Sequence, residues 1–187
     1  MFWQSSPYAW PVIGWPSDLP SISKAQADDF YSTYYSPQNI TLILVGDFEP
    51  DKAEALAKRY FERIPRGPKN PPDVVTLEVK QTAEKRMYAA AEANPQVDIL
   101  WHTVPFGHRD SYALEILEQV LATRTRRLYK GLVLGKEVAT EVFAYQSSMK
   151  WEGFFNAGGE AKDGRKPEEV EQGIYENIEK LQQEPVP

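Results

Sequence analysis

The chain lacks cysteine entirely, and only two of its 187 residues are histidines. The absence of cysteine excludes disulfides, thiolate zinc sites and cysteine nucleophiles together. Any function that needs an imidazole must use His102 or His108. The sequence also has no run of about 18 apolar residues, so we expect no segment that spans a membrane and no membrane partner.

Positive charge is scarce as well. Lysine and arginine number 21 against 27 aspartates and glutamates, which gives a net charge of -6. Proteins whose main partner is nucleic acid are usually basic, so we expect no nucleic-acid partner. The hydrophobic share of 42% and the charged share of 26% are typical of a globular protein. The length suffices for one ordinary domain or two small ones.

Common site motifs are missing too. The sequence contains no G-x-x-x-x-G-K-[ST] and no G-x-G-x-x-G after a predicted strand, so nucleotide binding is unsupported. His102 and His108 flank Pro105-Phe106-Gly107, and a helix cannot hold them on one face across that break. We expect His102, in an apolar strand, to be structural or to line a substrate site. We expect His108 to lie in an exposed loop before Asp110.

Two charge clusters have ordinary structural explanations. A basic cluster could contact an acidic ligand, but it is more typical of a solvated helix face with one arginine in an ion pair. Its members are Arg124, Arg126, Arg127 and Lys130. An acidic cluster is better explained as favourable charge near a helix N-terminus than as a set of metal ligands. Its members are Glu168, Glu169 and Glu171.

Hydrophobic periodicity predicts the elements of the first part of the chain. A helix is expected over 23–36, where Ser23 and Gln26 have capping-box spacing. The β-branched run at 41–46 predicts a strand covered on both faces. A second helix is expected to start near Asp51. Residues 65–73 contain four prolines and form the best linker candidate.

The second part mixes strands and helices. Strands are expected near 74–80, 85–92 and 97–104. An antiparallel pair is expected near 137–146 and 151–158, and Gly158 and Gly159 are expected to weaken the end of its second strand. Helices are expected after an Asp110 cap, at 125–134, and after Pro167 at a first-turn position. The predicted class is α+β, with a mixed, largely antiparallel sheet packed by helices.

A series of short motifs, in a fixed order along nearly the whole chain, resembles the pattern of one known family. The first part carries Pro7-Tyr8-x-x-Pro11-Val12-Ile13-Gly14, Phe30-Tyr31-x-x-Tyr34-Tyr35-x-Pro37-x-Asn39, Leu44-Val45-Gly46-Asp47-Phe48 and Tyr60-Phe61-x-x-Ile64-Pro65. The second carries Asp110-x-x-Ala113-Leu114-x-x-Leu117-x-x-Val120-Leu121, Arg127-Leu128-Tyr129-x-x-Leu132, Val138-Ala139 and Gly153-x-Phe155. This set resembles the insulinase and pitrilysin type of zinc peptidases, which includes mitochondrial processing peptidase.

The resemblance implies paired α+β lobes and a zinc site on an H-x-x-E-H helix, whose glutamate is the general base. No such motif occurs here, and in the family it lies upstream of the Pro-Tyr stretch. The chain therefore looks like a fragment: the closing part of a first lobe at 1–66, the linker at 65–73 and the opening part of a second lobe at 74–187. We assign no catalytic or metal-binding residue and no specific substrate contact, and we expect zinc in the parent protein only.

A second departure concerns substrate binding. Family members often carry an arginine and a tyrosine in a pattern like L-R-x-x-x-x-x-A-Y, and alignment on Leu132 and Ala139 puts Val133 and Thr140 at those places. Neither can supply a charged or phenolic hydrogen bond. This suits the zinc-bearing half of a two-half enzyme, and it equally suits a member that has lost catalysis.

Three hypotheses remain from the sequence. On the first, the chain is part of a zinc metalloendopeptidase, is inactive alone, and contributes a wall of the substrate chamber and contacts with the polypeptide. On the second, it is a non-catalytic scaffold half that pairs with a catalytic H-x-x-E-H partner. On the third, it is a binding module unrelated to proteolysis. The first two hypotheses imply two kinds of partner: a peptide or protein substrate, and either the rest of the parent protein or a homologous half. A homodimer formed by exchange of a segment is an alternative. By analogy with large bacterial peptidases, we lean to the periplasm.

Overall fold

The structure is a computed structural model that describes residues 2–122 and 127–184. The chain divides into two compact units, which we describe separately: one of residues 3–77, and one that contains Phe2 and the residues from Glu78 onward. Among the described residues, no helix is both long enough and apolar enough to cross a membrane.

The first unit has two helices, α1 (Lys24–Tyr34) and α2 (Pro50–Phe61), and short 3-10 turns at Pro7–Ala9, Pro16–Ser21 and Pro37–Asn39. Helix α1 begins with the predicted capping box. The Ser23 amide donates to Gln26 Oε1 at 2.8 Å, and the Gln26 amide donates to Ser23 Oγ at 3.2 Å. Helix α2 starts with proline in its first turn, close to the predicted start.

The predicted strand at 41–46 is wrong. These residues have no strand pairing in the described structure, and Leu42, Ile43 and Val45 are 50%, 77% and 93% exposed. A strand needs a hydrogen-bonded neighbour, which a hydrophobic run cannot supply by itself. Among the described residues of the first unit, only Ser6, Thr33 and Ser36 are buried. The described part of this unit therefore has no hydrophobic core of its own.

The proline-rich segment at 65–73 belongs to the first unit. The Gly67 amide donates to Gln38 Oε1 at 3.0 Å, and Gln38 Nε2 donates to the Lys69 carbonyl at 3.1 Å. One glutamine side chain thus ties this segment to the turn at Pro37–Asn39. The division between the two units falls later, at Leu77 and Glu78.

The second unit is a sheet packed by helices. Its elements are β1 (Gln96–Thr103), α3 (Arg109–Ala122), a π-helical turn (Tyr129–Gly135), β2 (Ala139–Ser148), β3 (Gly153–Ala161) and α4 (Pro167–Gln183). The three strands lie in the order β1-β3-β2, and both pairings are antiparallel. The predicted α+β class with an antiparallel sheet is confirmed. The antiparallel pair predicted near 137–146 and 151–158 corresponds to β2 and β3. Helix α4 begins at Pro167 as expected.

Other predicted elements need correction. The strands expected at 74–80 and 85–92 are wrong, because neither range shows strand structure. The helix expected at 125–134 falls partly outside the described residues, and its remainder, from 127 onward, is helical with π-type geometry over Tyr129–Gly135.

The hydrophobic core lies between one face of the sheet and the helices. The strands contribute alternate residues, which is the period expected for one face of a sheet. Its buried members include Ala139, Val142, Ala144, Phe155, Ala157, Leu121, Leu128, Leu132, Val170 and Ile174. Burying one leucine or isoleucine of this kind contributes about 1.5–3 kcal/mol. The opposite face of the sheet is exposed at Leu100 and Tyr145, and we call it the open face.

The two glycines of β3, which were expected to weaken the end of the strand, do not end it. Strand β3 runs through Gly158 and Gly159 to Ala161. A β-carbon on Gly158 would lie 2.5 Å from Cζ of Phe143 and 2.5 Å from the Val97 carbonyl oxygen. Glycine is needed here because both neighbouring strands approach the backbone closely.

Candidate functional site

The open face of the sheet carries a cluster of interacting polar groups that spans all three strands. Register places Leu100 of β1 opposite Asn156 of β3, and Asn156 opposite Tyr145 of β2. The adjacent row brings Asp98 opposite Gly158. Tyr145 and Leu100 are 42% and 37% exposed, so this face is accessible.

Asn156 lies at the centre of this face and is 5% exposed. Its Nδ2 donates to Asp98 Oδ1 at 3.3 Å and to the Tyr145 hydroxyl oxygen at 3.4 Å. We call these three residues the Asp98–Asn156–Tyr145 ladder. Gln96 Nε2 extends it by donating to Asp98 Oδ2 at 2.7 Å. The ladder therefore orients a carboxylate on one outer strand and a phenol on the other.

The chemistry of the ladder follows from its donors and acceptors. The Tyr145 oxygen accepts from Asn156, so the hydroxyl proton remains available for a ligand acceptor. The Asp98 carboxylate has further lone pairs that can accept from an N–H group or an ammonium. The Tyr145 ring meets the Phe154 ring edge to face, at 5.6 Å between centroids, which helps to hold the phenol in place.

A second polar group lies at the far end of the same face. The Glu160 carboxylate accepts from Thr140 Oγ1 at 2.7 Å and from Asn94 Nδ2 at 2.9 Å. These two hydrogen bonds hold the pKa of Glu160 below its ordinary value. Thr140 is thus engaged in orienting a carboxylate, and Val133 is half-buried against the hydrophobic core.

The two histidines lie on different elements. His102, in β1, stacks on the Phe2 ring at 4.0 Å between centroids and an interplanar angle of 12°. His108 is in the exposed loop, as expected, and its Nδ1 accepts from the Asp110 amide at 3.1 Å. Helix α3 begins at Arg109, so His108 rather than Asp110 provides the side-chain cap. Asp110 instead places a favourable charge in the first turn.

The basic cluster is described only in part, because Arg124 and Arg126 lie outside the described residues. Arg127 Nη1 lies 3.7 Å from Glu184 Oε2, and Lys130 is exposed. This agrees with an ion pair on a helix face.

The acidic cluster has structural partners. Glu169 accepts from the Lys166 amide at 2.9 Å, which lowers the pKa of Glu169 and supports the helix-terminus interpretation. Glu171 binds Arg86 through both oxygens, at 3.0 Å and 2.5 Å. The sequence did not predict this pair, because its members are far apart in the chain.

The two histidines and the acidic cluster do not form a zinc site. In the parts of the chain that the structure describes, no group of three or more histidines, aspartates or glutamates is placed to hold a metal ion. His102 packs on an aromatic ring, and His108 accepts a backbone hydrogen bond at a helix start. The donor set of a zinc hydrolase, two histidines and a glutamate, cannot be assembled from these two residues.

Comparison with known proteins identifies the family to which this chain belongs. The family described as "Peptidase M16 inactive domain" matches residues 21–187. The zinc protease PqqE of Helicobacter pylori is 29% identical over 185 residues, which cover 94% of this chain and 40% of that protein.

Two solved structures are similar as well. The crystal structure of a protease from Helicobacter pylori matches this chain with a TM-score of 0.90 at 25% identity. The match covers 99% of this chain and 46% of the protease chain. The periplasmic protease PqqL from Escherichia coli has a TM-score of 0.56 at 17% identity and covers 94% of this chain and 20% of its own, which shows a shared fold. The chain therefore spans less than half the length of these relatives.

Proposed function

Because the chain belongs to the peptidase M16 inactive-domain family, we propose that it is the non-catalytic part of a zinc endopeptidase. On this proposal a parent protein hydrolyses peptide bonds with zinc-activated water, and the metal is held by residues outside this chain. This chain contributes a wall of the substrate chamber and contacts with the polypeptide. The family match over residues 21–187 is the observation that carries the proposal.

The exposed surface of the first unit supports a larger assembly. Its apolar residues at 40–45 have the composition of a buried strand but no strand partner in the described structure. Exposed apolar patches of this extent are typical of surfaces that another segment covers. We propose that the rest of the parent protein, or a homologous half, supplies both the neighbouring strand and the missing core.

The open face of the sheet is the proposed chamber wall. It presents the Asp98–Asn156–Tyr145 ladder and the exposed side chain of Leu100, while the helices cover the other face. A wall of this kind positions a polypeptide without taking part in bond cleavage. Val133 and Thr140 fit such a role, because neither has the charge or the phenol of the family's substrate-polarising pair.

Reconstitution tests the proposal. The chain is mixed or co-expressed with a segment that carries an H-x-x-E-H helix, taken from upstream in the parent gene or from a homologous half. We expect no chelator-sensitive hydrolysis of an unfolded protein substrate by either part alone, and hydrolysis by the two together. Chelator-sensitive hydrolysis by the pure chain, or no gain when a complex forms, would contradict the proposal.

A scaffold half is the second candidate function. The loss of the arginine and tyrosine pattern at Val133 and Thr140 favours it as much as it favours a zinc-bearing parent. The upstream gene sequence separates the two, since an intact H-x-x-E-H there favours the enzyme and its absence favours the scaffold. A stable homodimer in light scattering would instead favour exchange of the first unit between two chains. The periplasmic relative supports a periplasmic location as part of the same proposal.

A further inference from the structure

We propose that the open face of the sheet binds an extended polypeptide segment that carries a lysine or arginine. Asp98 accepts from the cationic side chain, and the Tyr145 hydroxyl donates to a main-chain carbonyl of the same segment. This inference rests on the proposed function, and it adds the chemical class of segment that this wall selects.

The charge of the open face favours a cationic ligand. Its outward positions include Asp98, Glu141 and Glu160, and no lysine or arginine occurs among the outward residues of β1, β2 or β3. The carboxylate of Asp98 lies beside Leu100, which is 37% exposed and offers an apolar surface for the aliphatic stem of a lysine or arginine. The face therefore matches a side chain with an apolar stem and a positive end.

Asn156 provides an observation independent of this charge. An asparagine that is 5% exposed in the central strand carries a desolvation penalty, and an apolar residue of similar volume would avoid that penalty. Its Oδ1 is buried and has no hydrogen-bond partner among the residues that the structure describes. Its Nδ2 is used entirely to orient Asp98 and Tyr145. The buried amide fixes the positions of two exposed groups, and such preorganisation of the contacting groups is what a binding surface needs.

The spacing of the two exposed groups fits an extended chain. Asp98 Oδ1 and the Tyr145 hydroxyl oxygen lie 3.3 Å and 3.4 Å from the same nitrogen, Asn156 Nδ2, so the two oxygens are no more than about 7 Å apart. An extended polypeptide advances about 3.3 Å per residue, so a segment of about three residues reaches from one group to the other.

Peptide binding to the full chain tests the inference. Fluorescence anisotropy compares two labelled peptides of about ten residues, identical except that one carries lysine where the other carries glutamate. We expect the lysine peptide to bind, the glutamate peptide to bind at least fivefold more weakly, and the difference to shrink in about 0.5 M salt. The variants are Asp98→Asn and Tyr145→Phe, with Glu115→Gln as a matched control on the exposed surface of α3.

Each variant has a distinct expected effect. Asp98→Asn weakens the lysine peptide by about twofold to fivefold and leaves the glutamate peptide unchanged or improved. Tyr145→Phe weakens the lysine peptide by about twofold to tenfold, because the lost hydrogen bond is to the main chain. Glu115→Gln removes the same charge as Asp98→Asn without changing binding. Thermal melts confirm that all three variants remain folded.

Equal affinity for the two peptides, or equal effects of Asp98→Asn and Glu115→Gln, would overturn the inference. That failure differs from failure of the proposed function. If reconstitution restores hydrolysis while the peptides do not discriminate, the family role stands and the open face does not select cationic segments. If the Asp98-dependent preference is present while reconstitution fails, the binding face stands and the role in a peptidase does not.

Discussion

The side chain of Leu132 occupies the space that a β-carbon on Gly173 would need. Leu132 is fully buried in the π-helical turn, and Gly173 is buried in α4. Helix α4 therefore packs against the turn through its own backbone. The Asn177 side chain, one turn later, donates to the Gly173 carbonyl at 2.8 Å.

Substitution of this glycine tests the close approach. Gly173→Ala gains about 1 kcal/mol of helix propensity but overpacks a buried leucine, which costs about 1–3 kcal/mol. We expect a net loss of about 1 kcal/mol in the free energy of unfolding, measured by urea denaturation. In a Leu132→Val background, the same substitution is expected to stabilise the chain. Additive effects of the two changes would show that the contact does not limit packing.

Gly158 makes a contrasting case, because its close neighbours include backbone. A β-carbon there would meet both the Phe143 ring and the Val97 carbonyl oxygen at 2.5 Å. We expect Gly158→Ala to lower the unfolding midpoint in urea, and we expect Phe143→Leu not to rescue it, since the carbonyl remains. Full rescue by Phe143→Leu would mean that the sheet backbone adjusts and only the ring resists.

The Arg86–Glu171 pair predicts a local effect on the segment before β1. Arg86 also binds Glu84, and these carboxylates raise the pKa of the guanidinium above its ordinary value. Because the pair joins residues far apart in the chain, we expect Arg86→Gln to increase the rate of limited proteolysis by chymotrypsin within 84–92. Lys162→Gln, which removes a pair with Glu137, serves as the control. Equal cleavage rates within 84–92 in both variants would contradict the role of Arg86 as a local anchor.

The hydrogen bonds to Glu160 predict a dependence of stability on pH. Its pKa is lower in the folded chain than its ordinary value of 4.5, so the unfolded chain binds more protons in this range. The contribution of Glu160 is therefore fully present above about pH 4.5 and is lost as the pH falls through the folded pKa. We expect the difference in urea midpoint between the natural chain and Thr140→Val to shrink from pH 7 to about pH 3.5. A difference that stays constant would show that the Thr140 hydroxyl does not stabilise the ionised carboxylate.

Local signals in the sequence predicted elements whose causes are local. The capping box at Ser23 and Gln26 and the proline at 167 marked helix starts correctly, because both act within one helical turn. The strand at 41–46 failed because strand structure depends on a partner segment. The hydrophobic pattern there indicates that the residues are suited to burial in a sheet, but it does not identify the segment with which they would pair.

The candidate site could not be predicted because it depends on sheet register. Asp98, Asn156 and Tyr145 come together only once three strands are paired in a particular alignment. A signal was nevertheless present, since Asn156 is a polar residue in the middle of a strand that is otherwise apolar or glycine except for Glu160 near its end. The capping role of His108 was missed for a different reason, because histidine is not among the residues that usually mark a helix start.

Zinc content tests the central claim most directly. The purified chain and the proposed parent protein are dialysed against the same zinc buffer, and bound metal is measured by mass spectrometry. We predict about one zinc per parent molecule and no stoichiometric zinc in the chain of residues 1–187. One tightly bound zinc in that chain, released by chelator together with chelator-sensitive proteolysis, would contradict it.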